Sequence, residues 1–514
     1  MNTKLNQILA CLLGVVVLTL PNAANAQFNY STNHDSIIIT GYTGSSSATI
    51  PDMIAGLPVT SIAAKAFYTN GSLTSVTIPG SVTNIGSFAF ASCSNLAAFT
   101  IALTNGITNI GSGVFQNCSS LTNVTIPNSV ISIGSSAFAG CGSLTDLTFP
   151  RNLAVIGDFA FSTCSDFTNL VIPDNVTNIG TQAFASCTGL TVVEVGTNVE
   201  SVGSGAFMFC TSLASVNIPN SVTSLGDSTF QSCTSLTNAT LGNGVVKIGN
   251  SAFYSCINLT AVMFGNSVTD IGNDAFYDCT NLANIIFPDS VTNIGNYAFS
   301  SCTSLTGVCI PDNIISLGSY AFYDCVSLAN IVIGNHVTSL GAGVFDSCAS
   351  LTSIVIPNSV ISIGGSAFSF CGNLTNATIG SSVTNVGGYA FSSCNGLITI
   401  YFQGNAPIPG ASIFSGVNNL TVSYLPWTAG WSVMFGGQST KPLVNVSAVG
   451  IHENQFGFVV TGPNGFVFVV QACTNLDHSI WSHMVTNTIA GGLSDFTDPQ
   501  WTNYPARFYN LSLP

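Results

Sequence analysis

Charge is what this sequence lacks most. Of its 514 residues, 5% are Asp, Glu, Lys or Arg, against about 25% in ordinary soluble proteins. Six residues are basic, and Lys4, Lys65, Arg151, Lys247, Lys441 and Arg507 are scattered along the chain. A surface that tracks phosphates needs many Lys or Arg on one face. Nucleic acid is therefore not an expected partner, and a polybasic hold on anionic lipid fails for the same reason. Long apolar runs are missing too. Beyond the amino-terminal segment none reaches the length of a membrane-spanning helix, so no transmembrane anchor is expected. Histidine is sparse, with His34, His336, His452, His478 and His483 far apart or without partner cysteines at metal-ligand spacing. Low charge points to disorder only when hydrophobicity is also low, and here 46% of residues are hydrophobic. The chain is read as folded and weakly acidic (net charge −14), with a polar surface of Ser, Thr, Asn and Gly.

What is present begins with an export signal. Lys4, the apolar run Ile8 to Leu20 and Ala24-Asn25-Ala26 before Gln27 read as a cleaved secretory peptide, residues 1–26. Cys11 stands at the start of that run, whereas a lipidated cysteine would follow its end. A secreted or cell-surface location is expected after cleavage near Ala26.

A ruler then fills the chain. Cysteines stand at 93, 118, 141, 164, 187, 210, 233, 256, 279, 302, 325, 348, 371 and 394, each step 23 residues except the first, which is 25. The two extra residues sit near Ala102 and Leu103, and Asn70 holds the same column one step earlier, giving fifteen units between about Leu57 and Leu397. Three residues before the column is Phe in all fifteen, as in Phe90 before Cys93, Phe138 before Cys141, Phe184 before Cys187, Phe276 before Cys279 and Phe391 before Cys394. Seven before is Gly in fourteen, which implies either positive φ or a close approach between coils. Leu-x-x-Val-x-Ile reads as a short strand with one buried face, and Val-Thr-x-Ile-Gly as a second. Ser-x-x-Ala-Phe-x-x-Cys reads as one or two helical turns. One unit cannot bury its apolar face alone, so the units must stack as a parallel β-solenoid of about fifteen rungs.

The run L-x-x-V-x-I-P, then V-x-x-I-G, then A-F-x-x-C, repeated over roughly residues 50 to 400, resembles the BspA-type leucine-rich repeat family. The resemblance implies a curved parallel β-solenoid with short outer helices. It also implies a surface or secreted protein, in some members linked to adhesion, with no catalytic residues to carry over. The expected divisions are a signal peptide at 1–26, an opening cap at 27–56, the solenoid at 57–397, a closing cap at 398–440 and a β module at 441–514. The closing cap places Trp427 and Trp431 over the last coil. In the module, VNVSAVG, FGFVVTG, FVFVVQAC and RFYNLSL are strand-like runs separated by turns, read as a small β-sandwich that resembles carboxy-terminal modules of secreted bacterial proteins.

No catalytic constellation stands out. Lyases and hydrolases on β-helices need acids and bases converging on one face, and no such set is visible. Neither a metal site nor a cofactor is expected. The nearest thing to an acidic site is the span 270–346, with Asp270, Asp274, Asp278, Asp289, Asp312, Asp324 and Asp346. Asp289 and Asp312 share a turn position on adjacent rungs, where stacked carboxylates either share a cation or replace the usual turn Asn. Asp495 and Asp498 read as turn caps, and Tyr254, Tyr277 and Tyr323 either offer ring faces to sugars or pack structurally.

The candidate site is a column seven residues after the Cys, on the outward face of the first strand. It is polar in most rungs (Thr77, Thr100, Thr125, Thr148, Asn217, Thr240) but becomes Met263, Ile286, Cys309, Val332 and Val355 over five successive rungs. An apolar stripe on a solvent-facing sheet marks an interaction surface, although Val and Ile also suit any strand. The expected function is non-catalytic binding of a protein or cell-surface partner by a monomer. Glycan or matrix binding is the alternative, and a lyase-type enzyme ranks third.

The seventeen cysteines of an exported chain first suggest disulfides. Neighbours in a column, however, stand about 4.8 Å apart, beyond the ~3.5–4.5 Å Cβ separation of a disulfide. The column is read as buried, unpaired thiols acting as small hydrophobes.

Overall fold

A computed structural model of the chain describes residues 27–514 apart from 103–105, 453–454 and 478–479. The export signal at 1–26, with Lys4 and Cys11, lies outside the described residues, as do Leu103 and His478. The described chain forms a parallel β-solenoid followed by a small all-β region; it divides into two compact units, one ending at Leu190 and the other, which includes the all-β region, beginning at Thr191.

The first unit opens with an antiparallel pair, Phe28–Asn33 against Ser36–Tyr42, and the second of these runs parallel to Leu57–Ile62. From there the repeat takes over. Ser47–Thr49, Ser75–Ile78, Ala98–Ile101, Asn123–Thr125 and Asp146–Thr148 form one parallel ladder, each strand shifted by one rung. Asn109–Ile110, Ser132–Ile133, Val155–Ile156 and Asn178–Ile179 form a second. Short strands suffice because alternate side chains face inward: Ala98–Ile101 runs exposed, buried, exposed, buried.

The third side of each rung departs from expectation. The Ser-x-x-Ala-Phe-x-x-Cys segment is not helical, and there is no α-helix among the described residues. Ala89, Ala91 and Cys93 donate locally to Gly86, Phe88 and Phe90, while Phe88, Phe90 and Ser92 donate to Ser112, Val114 and Gln116 of the next rung. A helix would keep all its N–H groups within the segment; here alternate ones leave it and join coil to coil. Phe88 and Ser92 take positive φ, 58° and 60°, and these two columns, not the glycine column, carry the left-handed conformation. The glycines answer to the other alternative, close approach. A Cβ on Gly180 would lie 2.5 Å from the backbone carbon of Gly157, and one on Gly249 would lie 2.5 Å from that of Gly226.

The second unit repeats the plan. Val192–Glu194, Ser215–Ile218, Asn238–Leu241 and Ala261–Met263 are one parallel ladder, and Ser353–Ile356, Asn376–Ile379, Thr399–Phe402 and Thr421–Tyr424 another. Between them Gly307–Cys309 and Asn330–Val332 form a two-stranded parallel ladder. The spacing runs one coil further than the cysteines do: Phe414, Val417 and Leu420 are buried where Phe, Cys and Leu would stand.

Inside both units the columns become ladders. Phe138 stacks on Phe115 and on Phe161 at 5.1 Å between ring centroids, and Phe276 on Phe253 at 5.0 Å and Phe299 at 5.1 Å. Phe90, Phe184 and Phe391 are likewise buried. The thiols donate to the Phe carbonyl of the preceding rung, as from Cys93 Sγ to Phe67 O at 3.0 Å, Cys141 to Phe115 O at 3.1 Å, Cys187 to Phe161 O at 3.2 Å, Cys279 to Phe253 O at 3.2 Å and Cys394 to Phe368 O at 3.0 Å. All fourteen column cysteines are buried, and none is in a disulfide. Burial pushes the Cys93 thiol up to about 11 and the Cys187 thiol up to about 12.

The closing segment and the last strands belong to the second unit. Trp431 stacks on Tyr424 at 4.9 Å and lies against Phe402 and Phe435, covering the final coil. Trp427 packs against the core of the carboxy-terminal sheets. Those sheets are antiparallel. Gln455–Thr461 lies between Asn445–His452 and Leu493–Asp498, and Val467–Cys473 lies between Ser482–Thr488 and Phe508–Ser512. Both contribute to one core of Val444, Phe458, Val460, Phe468, Val470, Ile489, Phe496 and Leu511.

Candidate partner-binding face

The alternation that buries Val262 and Val308 turns their neighbours outward. Met263, Ile286, Val332 and Val355 are 62%, 83%, 59% and 65% exposed, and Cys309 is exposed with them. Register places Cys309 directly beside Val332. At the two ends Met263 stands beside Thr240 and Val355 beside Thr378, so the apolar stretch is bounded by threonine. It also coincides with the least regular part of the ladder. Asn284 joins Gly307 through a single bridge, and the strand pairing parts between Asn330–Val332 and Ser353–Ile356. A groove of 610 Å³ at that parting is lined by Val332, Val355, Asn335 and Asn358. A second groove, of 570 Å³, is lined by Met263, Thr240, Asn217 and Asn243 at the other end. Both combine apolar strand residues with amide side chains from the adjoining turns.

Val171, in the first unit, occupies the same column and is 59% exposed. The sequence reading passed over it; its position seven after Cys164 was the available signal. Thr100, Thr125 and Thr148 in that unit keep the column polar and exposed.

The acidic span does not form one site. Asp312 Oδ1 accepts the backbone N–H of Asn335 at 2.6 Å, as Asn220 does for Asn243 and Asn358 for Ser381. Asp at this turn therefore does the work of Asn, fastening one coil to the next. Asp278 accepts from Ser255 and Asp346 from Ser347. Asp270 accepts from Asn293 and stands 3.9 Å from Lys247. Among the described residues no three His, Cys, Asp or Glu side chains converge as metal ligands.

The tyrosines pack on one another in pairs. Tyr254 and Tyr277 stack at 4.9 Å with planes 6° apart, and Tyr297 and Tyr320 at 5.0 Å with planes 5° apart. Tyr323 meets Tyr320 edge-on. Burial, then Tyr277 and the neighbouring Asp278 and Asp274, pushes the Tyr254 hydroxyl up. Each ring of a stacked pair has one face covered by its partner.

These features define a class, the leucine-rich-repeat-type parallel solenoid whose variable positions lie on an exposed strand face. The description of the BspA type leucine rich repeat region matches in six copies, over residues 60–191, 108–237, 155–283, 223–352, 269–398 and 338–428. The chain belongs to the BspA-type leucine-rich repeat family. Among solved structures it is similar to a leucine-rich repeat protein from Bacteroides ovatus, with 27% identity and a TM-score of 0.60 over 73% of this chain and 93% of that one. It is also similar to a leucine rich cell surface protein from Faecalibacterium prausnitzii, with 28% identity and a TM-score of 0.41 over 74% of this chain and 93% of that one. No curated protein matches it. No helix among the described residues is long and apolar enough to cross a membrane.

Proposed function

We propose that this chain is a non-catalytic secreted or cell-surface binding protein that holds a protein or cell-surface partner against the strand face of its second unit. One observation carries the reading: five successive rungs replace Thr or Asn by Met263, Ile286, Cys309, Val332 and Val355, with the four non-cysteine side chains at least 59% exposed. Nothing in the fold requires that replacement, because Thr100, Thr125 and Thr148 occupy the same strand position in the first unit. Apolar patches of this kind on a soluble face mark contact surfaces, and repeat solenoids bind along extended faces. The export signal at 1–26 and the family support a location outside the cell.

The test is the double variant Ile286→Thr/Val332→Thr, compared with the parent chain for adhesion to host cells and for binding to immobilised matrix proteins. Binding should fall while the melting temperature holds. Unchanged adhesion in a folded double variant would sink the reading.

A further inference from the structure

A cleft in the second unit carries an inference of its own. It lies between the segment that closes the coils and the carboxy-terminal sheets, and its volume of 550 Å³ falls within the ~300–1,000 Å³ of small-molecule sites. Trp427 forms one wall; Trp481, Phe456 and Phe508 face the same space, with Arg507 and Tyr509 also lining it.

Two features separate this cleft from a packing defect. The first is its indoles. Trp431, close by in sequence, stacks on Tyr424 and donates its Nε1–H to Thr428 at 3.0 Å. Among the described residues, Trp427 and Trp481 are stacked on no other ring, and neither indole N–H has an acceptor. The second is a polar group built to be neutral. Asp498 is 2% exposed, accepts the Tyr509 hydroxyl at 2.7 Å and lies 3.1 Å from Arg507 Nη1. That approach is an ion contact without hydrogen-bond alignment, so the buried Nη1 keeps its protons unpaired. Tyr509 is held in turn by Phe456, stacked on it at 4.6 Å.

We propose that this cleft binds a neutral saccharide. A pyranose has an apolar C–H face to lie on an indole and a rim of hydroxyls to accept from the indole, guanidinium and amide donors. The Asp498–Arg507 pair cancels its own charge, and the net charge of −14 works against an anionic ligand. An apolar peptide segment offers acceptors only along its backbone, whereas a pyranose carries hydroxyls around the rim of the same ring that stacks. The proposal is independent of the strand stripe, and it places sugar binding at Trp427 and Trp481, which are stacked on no other ring, and not on the tyrosine ridge.

The full chain is titrated with neutral hexasaccharides of gluco, manno, galacto and xylo configuration, followed by calorimetry and tryptophan fluorescence. At least one should bind saturably. Trp481→Ala should weaken it by roughly tenfold or more, and Phe508→Ala, at a more exposed wall position, should weaken it less while keeping the fold. Ile286→Thr/Val332→Thr should bind the sugar like the parent, which separates this site from the stripe. Absence of binding at millimolar sugar, undiminished binding in both cleft variants, or tighter binding of an apolar decapeptide than of any hexasaccharide would overturn the proposal.

Discussion

The coils and the carboxy-terminal sheets bury similar side chains under different rules. In a coil, whatever one rung places at a position the next rung places beside it, about 4.8 Å away. Phenylalanines then stack, Asn and Asp side chains cap the backbone one rung on, and a charged column would face its own like. Thr and Asn avoid that repulsion, which accounts for the scarcity of charge. The carboxy-terminal sheets have no such neighbour rule. They hold the buried pair Asp498–Arg507 and leave two tryptophans unstacked. In the repeat the proposed contact lies where the column is broken; in the sheets the proposed cleft is built from single residues.

The largest effect should come from breaking a column. Phe276→Ala removes a ring stacked on both sides and should cost about 3–5 kcal/mol, with amide protection lost mainly in neighbouring rungs because each coil contacts only its neighbours. Denaturant unfolding with hydrogen exchange checks this, and a loss spread evenly over both regions would contradict the local rule. Asp498→Ala should be of similar or smaller size, about 3 kcal/mol, because it strands Arg507 and Tyr509. Its loss of protection should stay in Gln455–Thr461, Leu493–Asp498 and Phe508–Ser512, leaving the coils intact.

Alkaline pH should weaken the coils selectively. Column thiols sit above the ordinary 9.0, as Cys187 does at about 12. Above pH 9 the unfolded chain releases protons that the folded chain retains. Stability is therefore fully present below about 9 and declines as pH rises toward 12. Melting followed by tyrosine stacking in the coils should show this, and a flat profile between pH 8 and 11 would refute it. At neutral pH an aromatic disulfide reagent should find Cys309 in the folded chain and the column thiols only in denaturant. The smallest effect is expected at the stripe itself: Ile286→Thr/Val332→Thr should change unfolding free energy by no more than about 0.5 kcal/mol.

Much of the coil was legible from columns alone. Phe90 with Cys93 and Phe276 with Cys279 had to face inward because a fixed residue at a fixed step has the same neighbours in every rung. The outward turn of Met263 and Ile286 followed from strand alternation. The turn segment misled because Ser-x-x-Ala-Phe-x-x-Cys has the local look of a capped helix; its N–H groups find better partners one rung away, which no local pattern records. The glycine seven before the cysteine left two physical reasons open until the neighbouring backbone was in place. Trp427 and Trp431 read alike, yet one covers the last coil and the other packs on the sheets.

By itself the sequence determined what recurs: the 23-residue period, the buried columns and the unpaired thiols, since periodicity converts one-dimensional spacing into contact. Tertiary structure decided what does not recur. Asp498 reads as a turn cap and does accept the Gln500 N–H, but it is also 2% exposed and shared with Tyr509 and Arg507. The tyrosines left two roles open, ring faces for sugars and structural packing, and Tyr254 stacks on Tyr277; the cleft beside Trp481 had no signature. Those outcomes depend on which residues from distant positions meet once, and a meeting that happens once leaves no period to read.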